Sequence, residues 1–178
     1  MTGWYLDACA LINLYASGQL PDLARQQGRP FLLVPTVVQE AGWVFERRGE
    51  ERGERVPIDL GPLEREGLIE VVLPDAAVQA RFLQLVTELD DGEAMTIAAA
   101  NMSGDAGVVT DDQAAIRYLN ALAGPAVTTS LALLRAHLSA FPLSEGREVL
   151  LNVRICGRYV PGPSHPEITW WREVLAGG

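Results

Sequence analysis

The chain has 178 residues, 48% of them hydrophobic and 21% charged, and a formal net charge of -9. That length supports one hydrophobic core without disulfides or a structural metal, and the composition excludes a disordered chain. No apolar run reaches the roughly eighteen residues a membrane span needs, and the acidic balance opposes phosphate-bearing partners unless bound cations reverse the field locally.

Met1 is followed at once by strand-like residues rather than a signal segment, so the protein is expected to begin at its first core element. Trp4-Tyr5-Leu6 reads as a short strand that runs into Asp7, and Leu11, Ile12, Leu14 and Tyr15 then recur at helical spacing up to Gly18. A polar loop leads to the apolar strand Phe31 to Val34. Pro35 suits the first turn of a helix that is expected to continue through Val37, Val38, Ala41, Val44 and Phe45. Residues 46 to 57, rich in Glu, Arg and Gly, read as a solvated connection or frayed helix end. After the Gly61-Pro62 break, Leu68 to Leu73 reads as a strand and Ala76 to Leu89 as a helix. An Ala-rich helix follows from Asp91 to Gly104.

Gly107 to Thr110 is an apolar strand that delivers Asp111-Asp112 into a helix from Ala114 to Leu122, closed by Gly124-Pro125. Val127-Thr128 is a further short strand before a helix from Ser130 to Ala140. Beyond it lie a segment from Ser144 to Gly157 read as helix in preference to strand, a Pro-rich arm, and a short terminal helix carrying Trp170-Trp171. Uniformly apolar strands alternating with helices predict an α/β fold with a mostly parallel sheet covered on both faces, ligands binding beyond the carboxyl ends of the strands. Cys9 and Cys156, without metal-ligand spacing, read as buried free thiols in the cytoplasm.

Two strands thus deliver acids, Asp7 and Asp111-Asp112, to one edge of the sheet. Glu40 borders the apolar stripe of its helix, and Glu93 occupies the first turn of the Ala-rich helix, with Asp91 just before it. Each acid alone is explained by capping: Asp7 and one of the Asp111-Asp112 pair as N-caps, Asp90 to Glu93 as an acidic capping box, Thr110 to Gln113 as the standard one. Together, with no cation beside them in sequence, they would repel one another unless a divalent ion sat between them, and an all-oxygen set suits Mg²⁺ or Mn²⁺.

The stretch Leu6-Asp7-Ala8-Cys9-Ala10-Leu11-Ile12-Asn13-Leu14 resembles the opening of PIN-domain nucleases, where a strand ends on the first metal-binding Asp. Val38-Gln39-Glu40, Asp91 to Ala98 and Val109 to Arg117 resemble the second, third and fourth acidic motifs, in order. The resemblance implies a three-layer α/β/α sandwich over residues 1–140, with 141–178 as an extension packed on the same domain or on a partner. It also implies Mg²⁺- or Mn²⁺-dependent cleavage of RNA, homodimerisation, and the role of a toxin silenced by a small antitoxin protein. Asp7, Glu40, Glu93 and Asp112 match the family's metal-binding and catalytic acids. Asp111 and Asp91 could substitute or assist, and because Ala94 stands where many members have Asp, Asp91 and Glu93 compete for the third position.

A module that binds nucleic acid or protein without cleaving it is the alternative reading. A receiver-domain reading fails because the acidic pair follows a late strand. Arg117 and the arginines between 47 and 55, interleaved with glutamates, read as solvated charge. His137 and His165 have no nucleophile motif nearby, and at least one of Trp170 and Trp171 is expected to anchor the tail.

Overall fold

Short apolar runs between turn residues build the centre of the molecule, a computed structural model that describes residues 3–121 and 124–177. In chain order the elements are β1 (Trp4–Leu6), α1 (Ala8–Ala16), α2 (Leu20–Gln27), β2 (Phe31–Leu33), α3 (Pro35–Glu40), β3 (Trp43–Arg48) and β4 (Glu51–Pro57). There follow α4 (Gly61–Arg65), β5 (Ile69–Val71), α5 (Ala76–Leu85), α6 (Asp91–Ser103), β6 (Gly107–Val109) and α7 (Gln113–Ala121). The chain closes with β7 (Val127–Thr128), α8 (Ser130–Leu138), α9 (Leu143–Ile155) and α10 (Ile168–Ala176).

The central sheet has the order β5-β2-β1-β6-β7, with every pair parallel. Tyr5 registers with Leu32 on one side and Val108 on the other. The chain steps outward from β1 through β2 to β5, then crosses back to lay β6 and β7 on the far side of β1. Right-handed crossovers taken in opposite directions put their helices on opposite faces. Accordingly α6 packs on β1 and β6 with α5 against it, while α1 packs with α8 and α9. The result is the α/β sandwich the strand pattern predicts, with Leu6, Leu11, Phe31, Leu33, Ile97, Val109, Leu134 and Leu150 buried between the layers.

The strand order reverses between β1 and β6, and in parallel sheets a crevice opens beyond the strand ends at such a point. Asp7 follows β1 and Thr110-Asp111-Asp112 follows β6, so both acidic segments stand at this crevice. The Asp7 backbone N–H donates to the Val109 carbonyl at 3.1 Å and ties the two exits together.

Several elements differ from the sequence expectation. The expected polar loop after Gly18 holds α2, which buries only Leu20, Leu23 and Ala24, too narrow a stripe to stand out among polar neighbours; Gly28 ends it at φ 70°. The helix from Pro35 stops at Glu40 instead of reaching Phe45. Residues from Trp43 to Pro57 form the antiparallel hairpin β3–β4, turning through Gly49 (φ 67°) and Glu50, rather than a solvated connection. The 61–62 break is the short helix α4, and α5 ends at Leu85 rather than Leu89. Cys9 is exposed and Cys156 half-buried, not both buried. Leu122, the expected end of α7, lies outside the described residues.

Helix α9 forms as expected and lies against α1 and β3, with α10 packed on it. Leu150, Val153, Trp171 and Val174 join the main core, and Trp171 is buried while Trp170 is half-buried. Among the described residues no helix is long and apolar enough to cross a membrane.

Candidate active site

Asp7 sits at the mouth of the crevice as the N-cap of α1. Its Oδ1 accepts the Ala10 N–H at 2.6 Å, yet the side chain is only 3% exposed. Burial pushes its pKa up to about 7; hydrogen bonds from the Thr110 hydroxyl and Ala10 oppose the shift, and the charges of Asp111 and Glu93 add to it.

Glu93 stands in the first turn of α6. Its carboxylate accepts the Asp90 backbone N–H, half of the expected capping box, whereas the Asp90 side chain makes no capping bond. Partial burial pushes Glu93 to about 7, reinforced by Asp112, Asp90 and Glu40. Glu40, the last residue of α3, lays its carboxylate over Gly92. A Cβ at position 92 would come within 2.8 Å of the Glu40 Cδ and Oε1, so the missing side chain makes the seat. Burial and then the charges of Asp91 and Asp90 raise its pKa. Asp112 caps α7, its Oδ1 accepting from Ala114 N at 2.6 Å and Ala115 N at 3.0 Å, while its own N–H donates to Thr110 Oγ1 at 3.1 Å.

Glu93 links these acids pairwise: Asp112 and Glu40 act on it, and it acts on Asp7; Asp111 and Asp91 are placed differently. Asp111 is turned into the core. Its Oδ1 accepts from Ser130 N at 3.0 Å, and its Oδ2 accepts from the Ser130 hydroxyl and from Asn13 Nδ2 at 2.9 Å. His165 Nε2 lies 3.8 Å away. Asp91 is exposed and adds its charge to Glu40, not to Asp7, so Glu93 is the acid of that pair that faces the cluster.

Asp111 and Asp112 are therefore separable by stability. Asp111→Ala strands the buried donors of Asn13 and Ser130 and is expected to cost about 2–4 kcal/mol, whereas Asp112→Ala loses an N-cap worth ~1 kcal/mol. Thermal melting of the two variants checks this, and equal losses would contradict the division of labour.

Glu93 and Asp112 line a cleft of about 350 Å³ whose rim carries Glu88 and Asp90. Glu40 lines a second cleft of about 250 Å³ with Ile12, Trp43, Cys156, Gly157 and Arg158. The chain has no lysine, and the ion pairs of Arg25, Arg47, Arg48, Arg135 and Arg147 go to acids outside the cluster. The side-chain charges acting on Asp7, Glu40 and Glu93 are all negative.

Among the described residues no group of three or more His, Cys, Asp or Glu side chains is close enough together to hold a metal ion as it stands. In kind the donors suit a hard cation: they are carboxylate oxygens, eased at Asp7 by Thr110 and Ala10 and at Glu93 by the Asp90 N–H, with no cationic side chain among the charges acting on them. Mg²⁺ takes only one or two carboxylates directly and keeps water in its other positions. A scan against protein-family models, a search of curated proteins and a search of solved structures found no match to this chain.

Three features of the site are not legible as such in the sequence: Gly92 as the seat of Glu40, Thr110 as the link between Asp7 and Asp112, and the second cleft. Thr110 reads there only as a cap. A glycine flanked by two acids in the first turn of a helix is the available signal for Gly92.

Proposed function

We propose that this protein is a cytoplasmic, metal-dependent endoribonuclease of the PIN type, in which Asp7, Glu93 and Asp112, with Glu40 beside them, hold Mg²⁺ or Mn²⁺. The observation that carries the reading is a set of carboxylates, subject only to negative side-chain charges, at the crevice where the strand order reverses. An ion bound there supplies Lewis-acid stabilisation of the charge that develops on a phosphodiester during hydrolysis. Asp7, fixed by Ala10 N and Thr110, is a rigid ligand. Glu93, at the cleft wall, would take the proton of a water whose oxygen bonds to phosphorus as the P–O bond to the leaving oxygen breaks, the leaving oxygen taking a proton from solvent. The roles of toxin partner to a small antitoxin protein and of homodimer extend this reading through the motif resemblance.

A second reading, an RNA- or protein-binding module that does not cleave, draws on the open spacing of the acids. One assay separates the two: purified protein on mixed RNA with Mn²⁺ or Mg²⁺, beside an EDTA control and Asp7→Asn. Cleavage that requires the ion and falls at least about 100-fold in the variant supports the nuclease, a loss in keeping with metal catalysis. No ion-dependent cleavage, or equal cleavage by Asp7→Asn, assigns the protein to the binding class.

A further inference from the structure

We propose that the face of the β3–β4 hairpin beside Glu40 docks single-stranded RNA and leads it toward the acid cluster; the purpose rests on the nuclease reading, the binding does not.

Trp43 and Phe45 alternate along β3 and meet edge to face, ring centroids 5.0 Å apart, while Val44 between them is buried. The Arg55 guanidinium lies 4.0 Å from the Trp43 ring centroid, and Arg52 lies 4.8 Å from that of Phe45. Arg158 approaches the same Phe45 ring at 5.8 Å. All three arginines are exposed, and the ion pairs among the described residues involve none of them. Their neighbours differ: Arg47 pairs with Glu148, and Arg48 with Glu46 and Glu54.

On a chain of net charge -9, three uncompensated guanidiniums on one aromatic platform are a local reversal of sign. A guanidinium stacked on a ring keeps its N–H edge free for a phosphate and its outer face free for a base. Bases must be unpaired to use such a surface, which selects a single strand over a duplex. The platform reaches the edge of the acids at Glu40, because the cleft of about 250 Å³ holds Trp43, Arg158 and Glu40 together. Arg158 also has a left-handed backbone (φ 60°), a conformation a glycine would adopt at lower cost. An acidic peptide would use the charges but not the paired rings.

The test is fluorescence anisotropy of a labelled single-stranded RNA, about 12 nucleotides long to span one binding site, and of its duplex, in EDTA so that cleavage is off. The full chain is compared with Trp43→Ala, Arg55→Lys, the double variant Arg52→Ala/Arg55→Ala, and Arg172→Ala as an exposed arginine elsewhere. Wild type should prefer the single strand. Trp43→Ala and the double variant should each bind at least about fivefold more weakly, and the double variant should flatten the slope of log affinity against log salt by about 0.7 for each phosphate it ceases to neutralise. Arg55→Lys, which keeps charge but not the flat stack, should recover the salt slope without full affinity. Arg158→Gly should lose affinity without any fall in melting midpoint.

Equal binding by wild type and the hairpin variants with unchanged melting, an equal loss in Arg172→Ala, or no binding of single-stranded RNA overturns the proposal. Adding Mn²⁺ separates it from the nuclease reading. Hairpin-dependent binding without cleavage leaves the docking face standing and removes the nuclease; cleavage with KM unchanged in the hairpin variants does the reverse.

Discussion

Without divalent metal, the protein is expected to lose stability as the pH rises from about 4 to about 7, and Asp7→Asn is expected to abolish most of that loss. In the unfolded chain an aspartate releases its proton near 3.8, whereas the folded chain holds the Asp7 proton until about 7. Between those values the folded state binds the extra proton, so the equilibrium shifts toward unfolding as the proton is withdrawn, and becomes level above the window. A difference of about three pH units at 1.36 kcal/mol each gives a loss of up to ~4 kcal/mol, enough to move the melting midpoint of a chain this size by about 10 °C. Glu93 moves in the same direction, but its partial exposure screens its share.

The asparagine keeps a carbonyl oxygen for the Ala10 N–H and carries no charge to desolvate, so the variant should melt several degrees above wild type at pH 8 and close to it at pH 4. Mn²⁺ should reverse the order at pH 8 by stabilising wild type alone, since a ligand that binds only the folded state adds stability through mass action. Melting curves at pH 4, 6 and 8, with EDTA and with Mn²⁺, give the result. A flat wild-type profile in EDTA, or an equal Mn²⁺ shift in both proteins, would show that Asp7 is a simple helix cap.

The tension between cap and ligand is visible in the sequence because it depends on local order: an apolar run, an acid, then helical spacing. The same logic locates β2, β5 and β6, each of three residues within a short, mostly apolar run. It fails where the stabilising contacts are remote. The segment from Trp43 to Arg48 buries only Val44 and otherwise carries aromatic and charged side chains, so in sequence a helix continuing from Pro35 is as plausible as a hairpin; pairing with Glu51–Pro57 and packing on α9 decide the matter. Asp111 and Asp112 are adjacent and chemically identical. What distinguishes them is Ser130, at the start of α8, which draws the first inward. Asp91 and Glu93 are likewise equal candidates in sequence, and only the seating of α6 turns one toward the cluster and the other toward solvent.

Gly92→Ala should leave the fold intact, or stabilise it, while moving Glu40 away from the acid cluster. Alanine in place of glycine within a helix is worth ~0.5–1 kcal/mol, and Gly92 lies in a helix without requiring a positive φ. The new methyl would meet the Glu40 carboxylate, the free end of a flexible side chain, so the carboxylate yields rather than the backbone. If Glu40 serves the reaction, activity should fall about as far as in Glu40→Gln, on the order of tenfold or more, a loss of ~1.4 kcal/mol in transition-state stabilisation. The two substitutions acting through one carboxylate should not add when combined, because the second has nothing left to displace. Steady-state cleavage by both single variants and the double variant, with melting curves for each, tests this. Additive losses, or a Gly92→Ala protein that melts lower than wild type, would mean that the glycine serves helix packing and that the position of the Glu40 carboxylate does not govern the chemistry.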